Sequence, residues 1–260
     1  MEQNSIDLGK KFVEIVKGLI GKDKYNKVMN AAAINGNCAV KCEDQFAAQV
    51  KIRRSKISFI KDSNIIVSVD RVSQQGNFNK KKKAIILILE SPHGDEYKRN
   101  NNQCVYLGPA MGSTKNNINN YLLSNLLKYN RTNDEGTFSR LNFFSKLKSG
   151  KYNLVLLNAV QYQCSLNLNL EENTNVKIKE EIFNSFFKDP YVKQDFIKRI
   201  NDCNPSIIIN CCTGGEYKKN KGLQNQVQDI LDTNFKNKKR LMGSHPSSGF
   251  FCRGFWNSDK

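Results

Sequence analysis

The segment ILILESPHGDEY, residues 86–97, runs from unbroken aliphatic side chains into Glu90, Ser91, Pro92 and His93, followed by Asp95, Glu96 and Tyr97. A carboxylate and an imidazole so close together are the side chains of proton transfer and of charge stabilisation during bond cleavage. The chain has only two histidines, and the second, His245, lies in GSHPSSGFFCRGFW, again directly after an aliphatic run. Two further runs end in polar groups: NLVLL in Asn158, and SIIIN in Cys211, Cys212 and Thr213. Each residue alone has an ordinary reading as a hydrogen-bonding loop residue or a turn cap. Their shared position just past an aliphatic run singles them out as a candidate site.

Four such runs must carry these groups: AIILIL at 84–89, NLVLL at 153–157, SIIIN at 206–210 and the weaker RLMG at 240–243. Helical spacing lies between them, in Ile118, Tyr121, Leu122, Leu126 and Tyr129, in Ile182, Phe183, Phe186 and Phe187, and in Leu223, Val227, Ile230 and Leu231. Unalternating strands separated by helices predict an α/β fold, a three-layer sandwich around a mostly parallel four-stranded sheet. Open parallel sheets bind ligands beyond the carboxyl ends of their strands, which is where the polar groups fall.

Ahead of this domain, residues 81–260, the first 80 residues predict an N-terminal extension of a helix and a hairpin. Phe12, Val13, Val16, Leu19 and Ile20 recur at helical spacing, and KISFI and NIIVSVDRV read as strands joined by a turn at 62–64. The polar SQQGNFNKKKK follows. The glycine-punctuated VYLGPAMGSTKNNINNYLL predicts a loop entering a helix capped by Ser113 or Thr114, where free N–H groups can hold a phosphate. It lacks the Walker lysine pattern and the GxGxxG fingerprint, which disfavours nucleotide hydrolysis.

Across 260 residues, 41 Lys and Arg face 24 Asp and Glu, a net charge of +17. Such a field attracts polyanions, with nucleic acid the leading class. The lysines are spread along the chain rather than gathered on one amphipathic helix, which argues against a membrane partner. The first residues have no apolar run long enough for a signal peptide or a spanning helix, so a cytoplasmic protein is expected. The eight cysteines lack repeated CxxC spacing and are expected as buried thiols, with no structural metal and no cofactor. No obligate protein partner is implied.

In this order along the chain, the motifs resemble those of the uracil-DNA glycosylase superfamily, nearest to its iron-sulfur branch. Glu90, Ser91 and Pro92 resemble a Glu-Ala-Pro motif, and Tyr106, Leu107 and Gly108 an aromatic-Val-Gly loop. Asn158 in VLLNAVQYQ resembles a base-reading asparagine, and His245 with Pro246 a catalytic His-Pro loop. The match covers four short motifs across residues 84–256. Leu89 stands where the family usually has glycine, and Ser91 where the best-known branch has a water-positioning aspartate. Cys164 and Cys203 do not fit the cluster spacing, so no iron-sulfur cluster is expected.

The resemblance implies a DNA glycosylase that flips one nucleotide out of the stack and hydrolyses its N-glycosidic bond. Glu90 and His245 are the implied catalytic pair, Glu90 facing the sugar or the attacking water and His245 the base oxygen. Tyr106 would stack on the base and Asn158 bond its edge, with His93 beside them. Ser91, Asp95 and Glu96 are candidates for sugar or supporting contacts. Phe250, Phe251, Arg253 and Ser247 are candidates for a wedge and for phosphate contacts, although core packing is the plainer reading of the aromatics. Residues 165–203 form a longer helical insertion than a minimal member needs; the superfamily includes antiviral members that excise glucosylated hydroxymethylcytosine from phage DNA, and the altered first motif, absent cluster and extra helices fit such a specialist, ahead of uracil repair. The rival classes are a non-catalytic DNA-binding module, a metal nuclease using Glu90, Asp95 and Glu96, and a nucleoside or nucleotide hydrolase.

Overall fold

Every side chain from Ala84 to Leu89 is buried, a pattern that requires a strand covered on both faces. The computed structural model describes residues 7–21, 24–25, 28, 32–53, 56–60, 82–100, 103–127, 130–132, 138–140, 148–166, 172–214 and 222–257. In chain order its elements are α1 (Leu8–Ile20), β1 (Ile34–Asn35), β2 (Cys38–Ala39), β3 (Gln45–Arg53), β4 (Lys56–Phe59), β5 (Ala84–Leu89), β6 (Tyr97–Asn100) and β7 (Gln103–Tyr106). There follow α2 (Gly112–Leu127), β8 (Asn130–Thr132), β9 (Phe138–Arg140), β10 (Gly150–Asn158), α3 (Glu172–Phe187) and α4 (Pro190–Asp202). The chain closes with β11 (Pro205–Asn210), α5 (Leu223–Asn234), β12 (Lys239–Gly243) and β13 (Phe255–Asn257).

The fold is α/β, but the expected four-stranded sheet is corrected. The main sheet has seven strands in the order β13-β12-β11-β5-β10-β3-β4. The four aliphatic runs are its centre, with β10, β5, β11 and β12 mutually parallel, while β3, β4 and β13 add antiparallel strands at the flanks. The sheet is therefore mixed. β3 carries the small residues Ala47 and Ala48, which give it little strand signal of its own, and pairing along β10 from Ile52↔Gly150 to Gln45↔Leu156 decides its state.

Alternate strand residues serve the two faces. Ile86, Ile88, Val155, Leu157 and Ile208 pack with residues of α1, α3, α4 and α5, and Ile85, Leu87, Leu89, Leu154, Leu156, Ile207 and Ile209 pack with α2, Phe251 and Phe255. The described part of the N-terminal region belongs to this same body. Phe12, Val13, Val16 and Ile20 of α1 enter the first core, where the Phe12 ring stacks on Tyr162 at 5.3 Å, and β3 lies in the main sheet. KISFI supplies β4, whereas NIIVSVDRV and residues 73–81 of SQQGNFNKKKK lie outside the described residues.

The helical stretch expected between 165 and 203 is two helices. Asp189 caps α4 by accepting from the Tyr191 N–H at 2.8 Å, and Pro190 fills the first-turn position where its missing N–H costs nothing. Ser113 and Thr114 are not caps, because α2 begins at Gly112, whose φ of +57° favours glycine. Among the described residues, no helix is long and apolar enough to cross a membrane.

Candidate functional site

Register brings the four polar strand ends to one edge of the sheet. Asn158 lies opposite Leu89, and Asn210 opposite both Ile88 and Met242, so Asn158 ends, and Glu90, Cys211–Thr213 and Ser244–His245 follow, strands that finish at one level. Backbone bonds extend this alignment past the strands: Ala159 N–H donates to Leu89 O, Val160 N–H to Glu90 O, and Cys211 N–H to Ile88 O, at 2.8 to 3.0 Å.

Glu90 is buried, and two groups hold it. Lys179 of α3 places its Nζ 3.2 Å from Oε1, and the Thr213 hydroxyl donates to Oε2. Burial pushes the Glu90 carboxyl above its usual range, with the Lys179 charge and hydrogen bond acting in opposition. Lys179 also bears on both histidines. Desolvation drives His245 down to about 3, aided by the charges of Lys179 and His93, even though the side chain keeps part of its surface exposed. His93 is exposed and is lowered less, by desolvation and then Lys179, with Asp95 opposing. Glu90, Lys179, His93 and His245 thus form one electrostatic cluster.

The proton on His245 is assigned by its neighbours. Nδ1 accepts the Ser247 backbone N–H at 3.2 Å and lies 2.7 Å from the Ser247 hydroxyl. A neutral ring accepting at Nδ1 carries its proton on Nε2 and offers it as a donor.

Asn158 and Tyr106 gather elsewhere along the edge, around Cys42 of the segment leading into β3. Asn158 is buried, its Nδ2 reaches Cys42 Sγ at 3.8 Å, and its Oδ1 has no hydrogen-bond partner. Tyr106, half-buried at the end of β7, is raised by desolvation and by nearby Glu43 and Cys42. From behind, Arg199 of α4 donates to the carbonyls of Asn158 and Ala159 at 3.1 and 3.2 Å while paired to Asp44 at 2.9 Å and Asp195 at 2.7 Å. This fixes the backbone that carries Asn158.

Several expectations are corrected. Glu96 is buried, with Oε1 accepting from Met111 N–H at 3.0 Å and Oε2 from His93 N–H, so it braces the loop to α2 rather than facing a ligand. Burial pushes it up to about 7 against those two N–H groups. Asp95 stands exposed, Oδ2 lying 3.1 Å from where a Gly112 Cβ would be, so the chain's own carboxylates occupy the helix start expected to hold phosphate. Ser91 hydrogen-bonds the buried Cys164 thiol. Phe251 is 1% exposed and packs on Phe255, which removes it as a wedge. Phe250 is 55% exposed, with the Arg253 guanidinium 4.2 Å from its ring centre. Ser247 is exposed and bonded to His245.

The chain matches no protein-family model, no curated protein and no solved structure. The site therefore has to be read from its own geometry. Among the described residues, no group of three or more His, Cys, Asp or Glu is arranged to hold a metal ion. Glu90, Asp95 and Glu96 do not gather as a nuclease would need, since each has the separate surroundings given above.

Lys179 and Cys42 are the residues that sequence reasoning missed. Lys179 had a signal: it lies three and four residues before Ile182 and Phe183, on the apolar stripe of α3, where a lysine is anomalous. Cys42 had none, because only the fold brings it to Asn158.

Proposed function

We propose that the protein is a DNA glycosylase that draws one nucleotide out of the stack and breaks its N-glycosidic bond, leaving an abasic site. The observation that carries this reading is the Asn158 side chain, buried at a strand end with Oδ1 unpartnered. An orphaned buried acceptor costs roughly 1–3 kcal/mol, and a ligand N–H supplied on binding offsets that cost. With Nδ2 turned to Cys42, Oδ1 is left for a donor such as the exocyclic amine of a cytosine derivative or the ring N–H of uracil.

The remaining groups suit the same substrate. β10 and β12 lie three strand spacings apart, about 14 Å, a span that a base with its sugar can bridge between Asn158 and His245. Cleavage leaves negative charge on the departing base, and a neutral His245 donating from Nε2 stabilises it without a change of protonation. Glu90 is the carboxylate toward the cationic sugar. The exposed Phe250, backed by Arg253, suits the gap left by the extruded nucleotide. The charge of +17 favours a polymer over a free nucleoside. The mixed sheet, with helices on both faces and polar strand ends on one edge, is compatible with the three-layer architecture implied by the motifs.

A modified base, glucosylated hydroxymethylcytosine in phage DNA, is placed ahead of uracil because His93 and the polar loop around it offer partners for sugar hydroxyls. The test is to incubate the protein with glucosylated phage DNA and with uracil-containing DNA and count abasic sites. Sites in the glucosylated DNA are expected; sites only in the uracil DNA reverse the order of substrates. Full DNA affinity with no abasic sites in either identifies a non-catalytic binding module.

A further inference from the structure

Lys179 has no part in the cleavage chemistry set out above, yet it stands inside it. Its Nζ is 3.2 Å from Glu90, 19% of its side-chain surface remains open, and its charge bears on His93 and His245. Hydrolysis needs a carboxylate free to orient and deprotonate water. Of the carboxylates near this edge, Glu90 is held by Lys179 and Thr213 and Glu96 by two backbone N–H groups, while Asp95 stands exposed beside the start of α2. Ser91, the residue after Glu90, carries no carboxylate and is hydrogen-bonded to the Cys164 thiol. Of the two side chains in contact with Glu90, the Lys179 amine and the Thr213 hydroxyl, the amine is the stronger nucleophile once deprotonated, and the buried Glu90 is placed to take its proton.

We propose that Lys179 is the nucleophile, making the protein a combined glycosylase and abasic-site lyase that also breaks the DNA strand. This rests on the glycosylase reading and replaces water in its cleavage step. Glu90 first takes a proton from the Lys179 ammonium. The free amine adds to sugar C1′ as the C1′–base bond breaks, and the base leaves with the electron pair, hydrogen-bonded by His245. The new C1′-bound nitrogen loses a proton, which neutralises the base. Its lone pair then expels O4′, which takes the proton from Glu90, giving a ring-opened iminium. The C2′ proton passes to a neutral imidazole, for which His93 is placed, and the 3′-phosphate is eliminated. Water finally hydrolyses the iminium and frees Lys179.

The test uses the whole chain and an oligonucleotide carrying a preformed abasic site, so that no particular base has to be recognised. With sodium borohydride present, a one-to-one covalent adduct is expected, seen by mass and mapped to Lys179 by digestion. Without it, the strand is expected to break 3′ of the abasic site with an unsaturated aldehyde end. Lys179→Arg keeps the charge and removes the nucleophile, and should abolish adduct and strand break together, with thermal melting by circular dichroism confirming its fold. An adduct on another amine, or one that persists in Lys179→Arg, overturns the proposal. Absence of any adduct while glucosylated or uracil DNA still loses its base overturns the role of Lys179 and leaves the glycosylase standing. Absence of both adduct and base release overturns both.

Discussion

His245 sits between a desolvating environment and the Lys179 charge, and its proton affinity has a direct consequence for stability. Its folded value near 3 lies below the ordinary 6.5, so between these two the unfolded chain binds a proton that the folded ring refuses. Its contribution is complete above the ordinary value and is lost progressively as pH falls from there toward the folded value. Melting temperature should therefore fall between pH 7 and pH 4 more steeply in the native protein than in His245→Gln, measured by calorimetry across that range. Asn158 shows the opposite relation between function and stability. Replacing it with leucine removes an unpaired buried carbonyl, so Asn158→Leu should match or exceed native stability, by up to about 1–3 kcal/mol, while abolishing base release. Loss of stability together with activity would mean that Oδ1 is satisfied in the folded protein.

At the scale of elements, the loop after β12 divides its aromatics by burial. Phe251→Ala should cost about 3–5 kcal/mol in chemical denaturation, because the ring is buried against Phe255. Phe250→Ala should leave stability within about 0.5 kcal/mol and reduce cleavage of duplex more than of single-stranded substrate, since only the duplex needs a gap filled. β12 itself depends on a close approach. A Cβ at Gly243 would lie 2.6 Å from Phe255 Cδ1 and 3.1 Å from Cys211 Sγ, with a ring and a neighbouring strand as the obstacles. Gly243→Ala should destabilise by roughly 1–3 kcal/mol and, by shifting the strand end that carries His245, lower base release beyond the loss of folded protein. Unchanged activity per folded molecule would separate the strand end from the site.

At the scale of the whole molecule, the +17 charge should make DNA affinity strongly dependent on salt. The logarithm of the association constant, followed by fluorescence anisotropy, should fall linearly with the logarithm of salt concentration over about 50–200 mM. A flat response would remove the polyanion from the reading. The arrangement also explains the place of the N-terminal region: Cys42 meets Asn158, Asp44 pairs with the Arg199 that holds the Asn158 carbonyl, and β3 widens the sheet along β10. These residues complete one wall of the candidate site as well as one flank of the fold.

The sequence by itself determined the four parallel strands, the helices between them and the edge on which Glu90, Asn158 and His245 fall. Continuous aliphatic runs and apolar helical stripes are local patterns, and residues just past a strand are placed by the strand. Only the tertiary structure decided that β3 joins the sheet, that Phe251 rather than Phe250 is buried, that Glu96 braces a loop, and that Lys179 and Cys42 reach the site. Each of these depends on partners far away in the chain, Lys179 from Glu90 and Cys42 from Asn158. Contacts at such separation are set by how the layers pack: the spacing of Lys179 to Ile182 and Phe183 marks it as anomalous on an apolar stripe, but no spacing within a segment names its partner.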